Sequence, residues 1–384
     1  MGFEFATSGR IIFGNGSLNK VREIAPGFGR RALVVTGSGS VPLAPLMAVL
    51  DEAGVKADVF RVGREPDIPT IDRGRALAKE TGSEFVIGFG GGSSLDSAKA
   101  ISALLTNVGE LMDYLEVVGK GQKIANPAAP MIALPTTAGT GTEVTRNAVI
   151  SSPEHHVKFS MRSPLMIPKV AIVDPELTLT MPASVTASTG MDALTQVIEA
   201  YVSNRANPMT DVISAEGIRR GARSLLAAYQ DGQNLAARED MALTSLFGGL
   251  ALANGGLGAV HGFAGPIGGM FQAAHGAICA SLLPYVMKYN AQVVQSQPGM
   301  DALLQRFQQV AAWVTGKPNA SIDEGVRWLA ELAQALHVPS LHEIGIEKAD
   351  FTRIIEKSKA SSSMQKNPVK LDEQTLEAIL TEAY

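Results

Sequence analysis

Apolar residues in the first half of the chain fall into short runs rich in β-branched and aromatic side chains: RALVVTG at 31–37, ADVFRV at 57–62, FVIGFG at 85–90, MIALPTT at 131–137 and VAIVDP at 170–175. Helical patterns separate them, as at 41–54 and 70–82. Strands alternating with helices across short turns predict a mainly parallel sheet covered by helices. The pattern changes after Pro182. Long Ala/Leu-rich segments follow at 183–203, 208–229, 236–257, 301–315 and 321–336, and β-rich runs nearly vanish. The chain thus predicts an α/β nucleotide-binding domain over 1–182 and an all-helical domain over 183–384.

Two sets of residues carry candidate chemistry. Residues 85–99 read FVIGFGGGSSLDSAK, an apolar strand, three glycines and a helix whose first turn carries Asp96. Glycines let the backbone approach a pyrophosphate, and the free amides and positive dipole end of the helix hold its charge. The spacing is not GxGxxG, and a Gly-rich turn without a ligand is the bland reading. In the second half Asp192 lies in ASTGMDALTQVIEAYVS, His261 in GAVHGFAGPIGG and His275 in QAAHGAIC. A carboxylate and two imidazoles on segments otherwise poor in charge fit three ligands of one divalent ion with a position left for substrate. Alone, a His beside Gly on an apolar helix is more often a hydrogen-bonded core residue; the glycine loop upstream favours a metal enzyme. Gln196 follows Asp192 by four residues and shares its helix face. Glu199, three further on, lies near that face and is placed to orient the site from behind the ligands.

Composition narrows the function classes. With 384 residues, 46% of them hydrophobic, the chain can bury a large core and fill two domains. Its net charge of −4 comes from interspersed acids and bases without a basic stripe, which argues against nucleic acid as a partner. The single cysteine, Cys279, excludes an intramolecular disulfide and suits a reducing compartment; it reads as a small buried hydrophobe. The opening MGFEFATSGRIIFGNGS lacks a signal-peptide pattern, and no run reaches roughly 18 uninterrupted apolar residues. A cytoplasmic protein with no membrane partner is expected.

GGGSSLDSAKA at 90–100, LPTTAGTGTEVTRNAVI at 134–150, IVDPELTLTMPASVTASTGMDALTQVIEAYVSNRANPMTD at 172–211 and GAVHGFAGPIGGMFQAAHG at 258–276 together resemble the iron-containing (group III) alcohol dehydrogenase family. The resemblance implies that family's dehydroquinate synthase-like fold, a Rossmann-like α/β domain followed by an all-α domain. It also implies a metal-dependent, NAD(P)-linked alcohol dehydrogenase or aldehyde reductase, with a small-molecule alcohol or aldehyde as substrate, working as a homo-oligomer. Carried over by position, Gly91, Gly92 and Ser93 sit at the pyrophosphate with Asp96 in the helix behind them. Thr136, Thr137 and Thr140 supply hydroxyls along adenosine and ribose, and Asn147, Val149 and Lys158 flank the nicotinamide side. A polar loop that merely caps a helix would use the same threonines. Asp192, Gln196, His261 and His275 occupy the metal-site positions, with Asp192, His261 and His275 as the catalytic group.

Two positions depart from the family pattern. A histidine commonly stands four residues after the aspartate, completing an Asp and three His set for iron; here it is Gln196. A carboxamide is a poor ligand beside imidazole, which leaves Asp192, His261 and His275 as the dependable donors and both Fe²⁺ and Zn²⁺ open. The second departure is Gly265, where the family often places a relay histidine, so the proton must leave through water, ribose hydroxyls or another residue. His155 and His156, in SSPEHHVK, read as a solvated turn. After the first predicted strand stand Gly37, Ser38, Gly39 and Ser40, where NAD-preferring relatives often carry an aspartate for the ribose 2′-hydroxyl. Such a loop can donate to a 2′-phosphate, which favours NADP and still admits NAD. Alternatives on the same fold are a metal-free oxo-acid reductase resembling maleylacetate reductase and a lyase resembling 3-dehydroquinate synthase. The lack of Lys and Arg over 255–285 counts against the lyase. A non-catalytic binding protein would have to explain cofactor and metal motifs surviving together.

Overall fold

The computed structural model describes residues 2–39, 41–63, 65–116, 119–152, 157–271 and 273–384. The backbone groups into two compact units, Ala6–Met181 and Pro182–Tyr384, the second including the N-terminal segment that ends at Phe5.

The first unit contains strands β1 (Arg10–Phe13), β2 (Arg31–Gly37), β3 (Lys56–Val62), β4 (Phe85–Gly90), β5 (Met131–Pro135), β6 (Asn147–Ser152), β7 (Val157–Arg162) and β8 (Val170–Val173). Six of them form a sheet in the order β1-β8-β5-β4-β2-β3, parallel at every pairing, and β6 and β7 form an antiparallel hairpin. Alternation along the strands sorts the core into two layers. Ala32, Val34, Phe85, Ile87, Ile132 and Leu134 pack on α1 (Val21–Ile24) and α2 (Ala44–Glu52). Leu33, Val35, Val86, Met131 and Ala133 pack on α3 (Ile68–Glu80), α4 (Gly92–Thr106) and α5 (Leu111–Tyr114). Burial on both faces is why these strands read as continuous apolar runs. Gly88 points at α4, where a Cβ would lie 2.7 Å from Leu95 Cδ2 and 2.9 Å from Met131 Cε, so its lack of a side chain sets how closely the helix lies on β4.

The strand order decides where a ligand can bind. The chain runs outward from β2 to β3, then crosses back to place β4 on the other side of β2. At such a reversal the loops leaving the two strands diverge and open a crevice at their carboxyl ends. The glycine run after β4 and the Gly37 end of β2 both lie at this point.

A buried polar cluster ties α4 to the segment entering β6. Lys99 Nζ donates to the Thr142 carbonyl at 3.0 Å, Thr142 Oγ1 at 2.6 Å, Thr145 Oγ1 at 3.0 Å and the Asn147 carbonyl, and lies 3.1 Å from Asp96 Oδ1. Asp96 also accepts from the Val149 amide at 3.0 Å. Burial pushes the Lys99 ammonium below its ordinary pKa, against the raising effect of Asp96. Beside it, burial lifts the Glu143 carboxyl to about 7, opposed by its own backbone hydrogen bond and by Lys99.

Strands β1, β6 and β7 lie outside the five runs that the hydrophobic pattern singles out. β1 is a four-residue edge strand, half-exposed on both faces, and β6 alternates half-buried with buried positions, so neither presents a continuous apolar run.

The second unit is helical: α6 (Ala183–Val202), α7 (Pro208–Gln230), α8 (Leu235–Gly255), α9 (Ala259–Met270), α10 (His275–Ser296), α11 (Asp301–Thr315), α12 (Ile322–Ala335), α13 (Phe351–Lys359) and α14 (Glu373–Ala383). Helix α6 packs against α7, α8 and α10, and each residue from Gly190 to Val202 is buried. A helix enclosed on all sides belongs to the core. Asn207 opens α7, its Oδ1 accepting from the amides of Met209 and Thr210, with Pro208 at the first helical position. Asp240 of α8 takes two 2.7 Å bonds from Arg223 and one of 2.8 Å from Arg220, clamping α8 to α7. Among the described residues no single helix is long and apolar enough to cross a membrane; the pair α8 and α9 passes by length and composition but bends by 99°.

Glu143 gives the first unit a distinctive pH dependence. The folded chain holds its proton up to about 7, whereas an ordinary carboxyl loses it near 4.5, so this group favours the folded state most below 4.5 and the contribution is lost as pH rises through about 7. Glu143→Gln should therefore flatten the decline. Urea midpoints of wild type and variant across this range measure it, and parallel curves would refute the assignment.

Candidate active site

The polar residues of α6 need partners because the helix is enclosed. Glu199 finds its own at the start of α9. Its Oε1 accepts from the Val260 amide at 2.7 Å, and its Oε2 accepts from the His261 amide at 3.3 Å and lies 2.7 Å from His261 Nδ1. These amides belong to the first turn of α9 and have no acceptor within the helix. The carboxylate thereby caps α9 and holds the imidazole with Nε2 turned inward, 3.2 Å from Asp192 Oδ1. His275, the first residue of α10, brings its Nε2 to 3.9 Å from the same oxygen. That approach depends on Gly276, where a Cβ would fall 2.0 Å from the Ser188 carbonyl oxygen of α6. One turn along α10, the buried Cys279 places Sγ 3.7 Å from His275 Nε2 and 3.9 Å from His261 Nε2.

Donor atoms of Asp192, His261, His275 and Cys279 all lie within 4.8 Å of one another. A tetrahedral centre with bonds of about 2.0 Å to N and O and about 2.3 Å to S sets ligand separations of roughly 3.3 Å and 3.6 Å respectively. The separations of 3.2 and 3.9 Å from Asp192 Oδ1 to the two Nε2 atoms, and of 3.7 and 3.9 Å from Cys279 Sγ, bracket those values loosely, so small side-chain movements would bring the donors onto a divalent ion. Electrostatics agree. Burial would raise the Asp192 carboxyl, but hydrogen bonds from His261 and Gln196 and the nearby imidazoles hold it below the ordinary range. Burial would lower His261, yet Cys279, Asp192 and Glu199 hold it well above its ordinary value. Acidic groups thus surround the two rings and favour positive charge between them. His275 is the least enclosed donor, with 35% of its side chain exposed.

Gln196 lies beside this group. Its amide bonds to Asp192, while its buried Oε1 accepts no hydrogen bond and points toward Gly248 of α8, where a Cβ would meet it at 2.5 Å. Gly265 of α9 faces open space. A cavity of about 950 Å³ lined by Arg219, Gln305 and Trp313 among others contains none of the donors.

In the first unit the glycine loop after β4 and the threonine-rich segment after β5 meet. A Cβ on Gly91 would touch Thr137 at 3.3 Å, and one on Gly92 would touch Thr140 at 3.0 Å, while the Thr136 amide donates to the Gly90 carbonyl at 3.0 Å. Gly37 stands against α4, its Cβ position 3.2 Å from Ser94 Oγ, and Ser38 next to it is exposed. Ser93 and Gly92 occupy the first turn of α4, whose leading amides lack helical acceptors. Asp96 turns away from this turn into the Lys99 cluster, and Asn147 and Val149 contribute backbone groups to the same cluster. Lys158, opposite Ser151 in the hairpin, pairs with Glu65 at 2.6 Å. Ser40, His155 and His156 lie outside the described residues.

A parallel nucleotide-type sheet followed by a helical unit that brings Asp192, His261 and His275 together fits a metal-dependent oxidoreductase. Residues 8–175 match the family model described as iron-containing alcohol dehydrogenase, and residues 186–384 match the C-terminal model of the Fe-containing alcohol dehydrogenase family. The chain is 34% identical over 379 residues to alcohol dehydrogenase 4 of Saccharomyces cerevisiae (strain YJM789), covering 97% of this chain and 96% of the relative. It is 33% identical to 1,3-propanediol dehydrogenase of Klebsiella pneumoniae over 100% of this chain and 99% of that one. A solved alcohol dehydrogenase from Oenococcus oeni superposes with a TM-score of 0.92 at 32% identity, with full coverage of both chains. The chain belongs to the iron-containing alcohol dehydrogenase family. It is an oxidoreductase acting on CH–OH groups with NAD(P) and a divalent metal.

Cys279 is the one member of the cluster that its sequence context hides, since a free cysteine in an apolar helix is usually just core. The signal available was its spacing of four from His275, which puts both on one helix face. If Glu199 orients His261, Glu199→Gln should weaken metal affinity by roughly 10–100-fold while helix content is kept. Competition against a chelator of known affinity measures it; an unchanged dissociation constant would show that the carboxylate only caps α9.

Proposed function

We propose that Asp192, His261 and His275 hold the divalent ion at which a small alcohol or aldehyde reacts, with Gln196 a weak or absent ligand beside them. The observation that carries this reading is the convergence of donors from α6, α9 and α10 on one point, with Glu199 fixing the inward nitrogen of His261. When bound, the ion supplies Lewis-acid polarisation of the substrate oxygen and the nicotinamide exchanges the hydride. The chain's own groups do the positioning. Asp192 brings the negative charge, the two imidazoles are held by helix ends, and the partly exposed His275 marks the side open to substrate. Gly265 offers no side chain for a proton relay, so the proton passes to water or to the ribose hydroxyls.

Residues 1–182 serve in this reading as the dinucleotide domain and 183–384 as the metal and substrate domain. Gly91, Gly92 and Ser93 hold the pyrophosphate, with Thr136, Thr137 and Thr140 along the adenosine and ribose; the contact of the two loops supports this. Asp96 braces α4 behind them, and Asn147, Val149 and Lys158 flank the nicotinamide. Gly37 and Ser38 leave room for a 2′-phosphate, which favours NADP. The lone free thiol suits a cytoplasmic enzyme, and the family resemblance implies a homo-oligomer.

His275→Ala should abolish turnover and reduce bound metal with the fold intact. Elemental analysis and an aldehyde screen on metal-stripped protein with Fe²⁺, Zn²⁺ or chelator check it. Full activity in chelator would instead support the metal-free oxo-acid reductase.

Cofactor choice has its own test. In Gly37→Asp the new carboxylate should repel a 2′-phosphate while accepting from a 2′-hydroxyl, provided Ser94 shifts slightly to admit the Cβ 3.2 Å from its Oγ. NADPH efficiency should fall far more than NADH efficiency. A wild type that ignores NADPH, or an unchanged ratio in the variant, would overturn this placement.

A further inference from the structure

We infer that Cys279 is a metal ligand, completing an Asp/His/His/Cys set in place of the fourth histidine that this chain lacks, and that the site therefore selects zinc over iron. The inference rests on the metal-site reading above and deepens it. Sulfur lies 3.7 Å and 3.9 Å from the two Nε2 atoms, close to the roughly 3.6 Å that one tetrahedral ion imposes on an N and an S ligand. Both rings direct Nε2 to the cluster, His261 because Glu199 occupies its Nδ1. Position 196 supplies no acceptor to that centre, since the Gln196 amide bonds to Asp192 and its oxygen faces Gly248. A fourth protein ligand comes from α10 instead, and a substrate oxygen would join as a fifth, an expansion that catalytic zinc permits.

Charge balance points the same way. Asp192 is 3% exposed, His261 9% and Cys279 0%, so an ion held among them is largely removed from water. Within the ligand set one carboxylate leaves a divalent centre with a net positive charge and a thiolate brings it to neutrality, which lowers the cost of burial, while the charge of Glu199 is met by the amides at the start of α9. Coordination breaks the S–H bond, forms the metal–sulfur bond and releases the proton to solvent, with no change of oxidation state. A soft thiolate replacing an imidazole moves preference from Fe²⁺ toward Zn²⁺.

Cys279 is the chain's single cysteine, so any thiolate-to-metal signal must come from it. Metal-stripped full-length protein titrated with Co²⁺ in thiol-free buffer should develop visible d–d bands and, in step with them, an intense near-ultraviolet thiolate-to-cobalt charge-transfer band. Cys279→Ser should keep the d–d bands, lose the charge-transfer band, and show a Zn²⁺-over-Fe²⁺ preference at least tenfold smaller in competition dialysis. The wild-type spectrum decides the question even if the variant fails to fold. Visible bands that disappear in His275→Ala, without a charge-transfer band in wild type, would overturn sulfur ligation and leave the metal site standing. No cobalt uptake at all would overturn both.

Discussion

Asp192 and Glu199 are carboxylates on a helix closed to solvent over the turns that carry them, and an unpaired charge there would cost several kcal/mol. Much of the local architecture answers that constraint. Glu199 is neutralised by the amide end of α9 and by His261, which fixes where α9 begins and how its histidine turns. Asp192 is left facing His261, His275 and the Gln196 amide, whose donors and rings hold its buried carboxyl below the ordinary range. The helical unit therefore builds its chemistry from the same interactions that make its core tolerable.

The first unit meets a comparable demand differently. Lys99 and Asp96 are buried together on α4, and the pair is satisfied by a loop and a strand rather than by a ligand. That cluster anchors the threonine-rich segment, which then lies against Gly91 and Gly92. A loop made of glycines has little stiffness of its own; here its neighbours supply it.

The parts of the fold that hydrophobic pattern reveals are those buried on two sides. Strands β2, β4 and β5 read as unbroken apolar runs because helices cover both faces, whereas β1 and the β6/β7 hairpin are half-exposed and carry no such run. Helix α6 was readable to within a residue, with 183–203 expected and Ala183–Val202 found. Site residues divide along a similar line. Asp192, His261 and His275 stand out as polar residues in apolar company, but where Asp96 directs its carboxylate depends on Thr142 and Val149, more than 40 residues away. Such non-local pairings leave no mark in local spacing. Cys279 is the converse case, a residue whose ordinary appearance conceals an unusual position between two imidazoles.

The contact of Gly276 with the Ser188 carbonyl carries one more consequence. It locates the start of α10 by backbone packing against α6, a contact that any side chain at 276 would break. A frame set by backbone packing does not depend on which side chains stand at the ligand positions, so the identity of an ion held there becomes a matter of ligand chemistry and cellular supply. Over evolutionary time such a frame can trade one metal for another by exchanging a single side chain, while the helices that carry the site stay where they are.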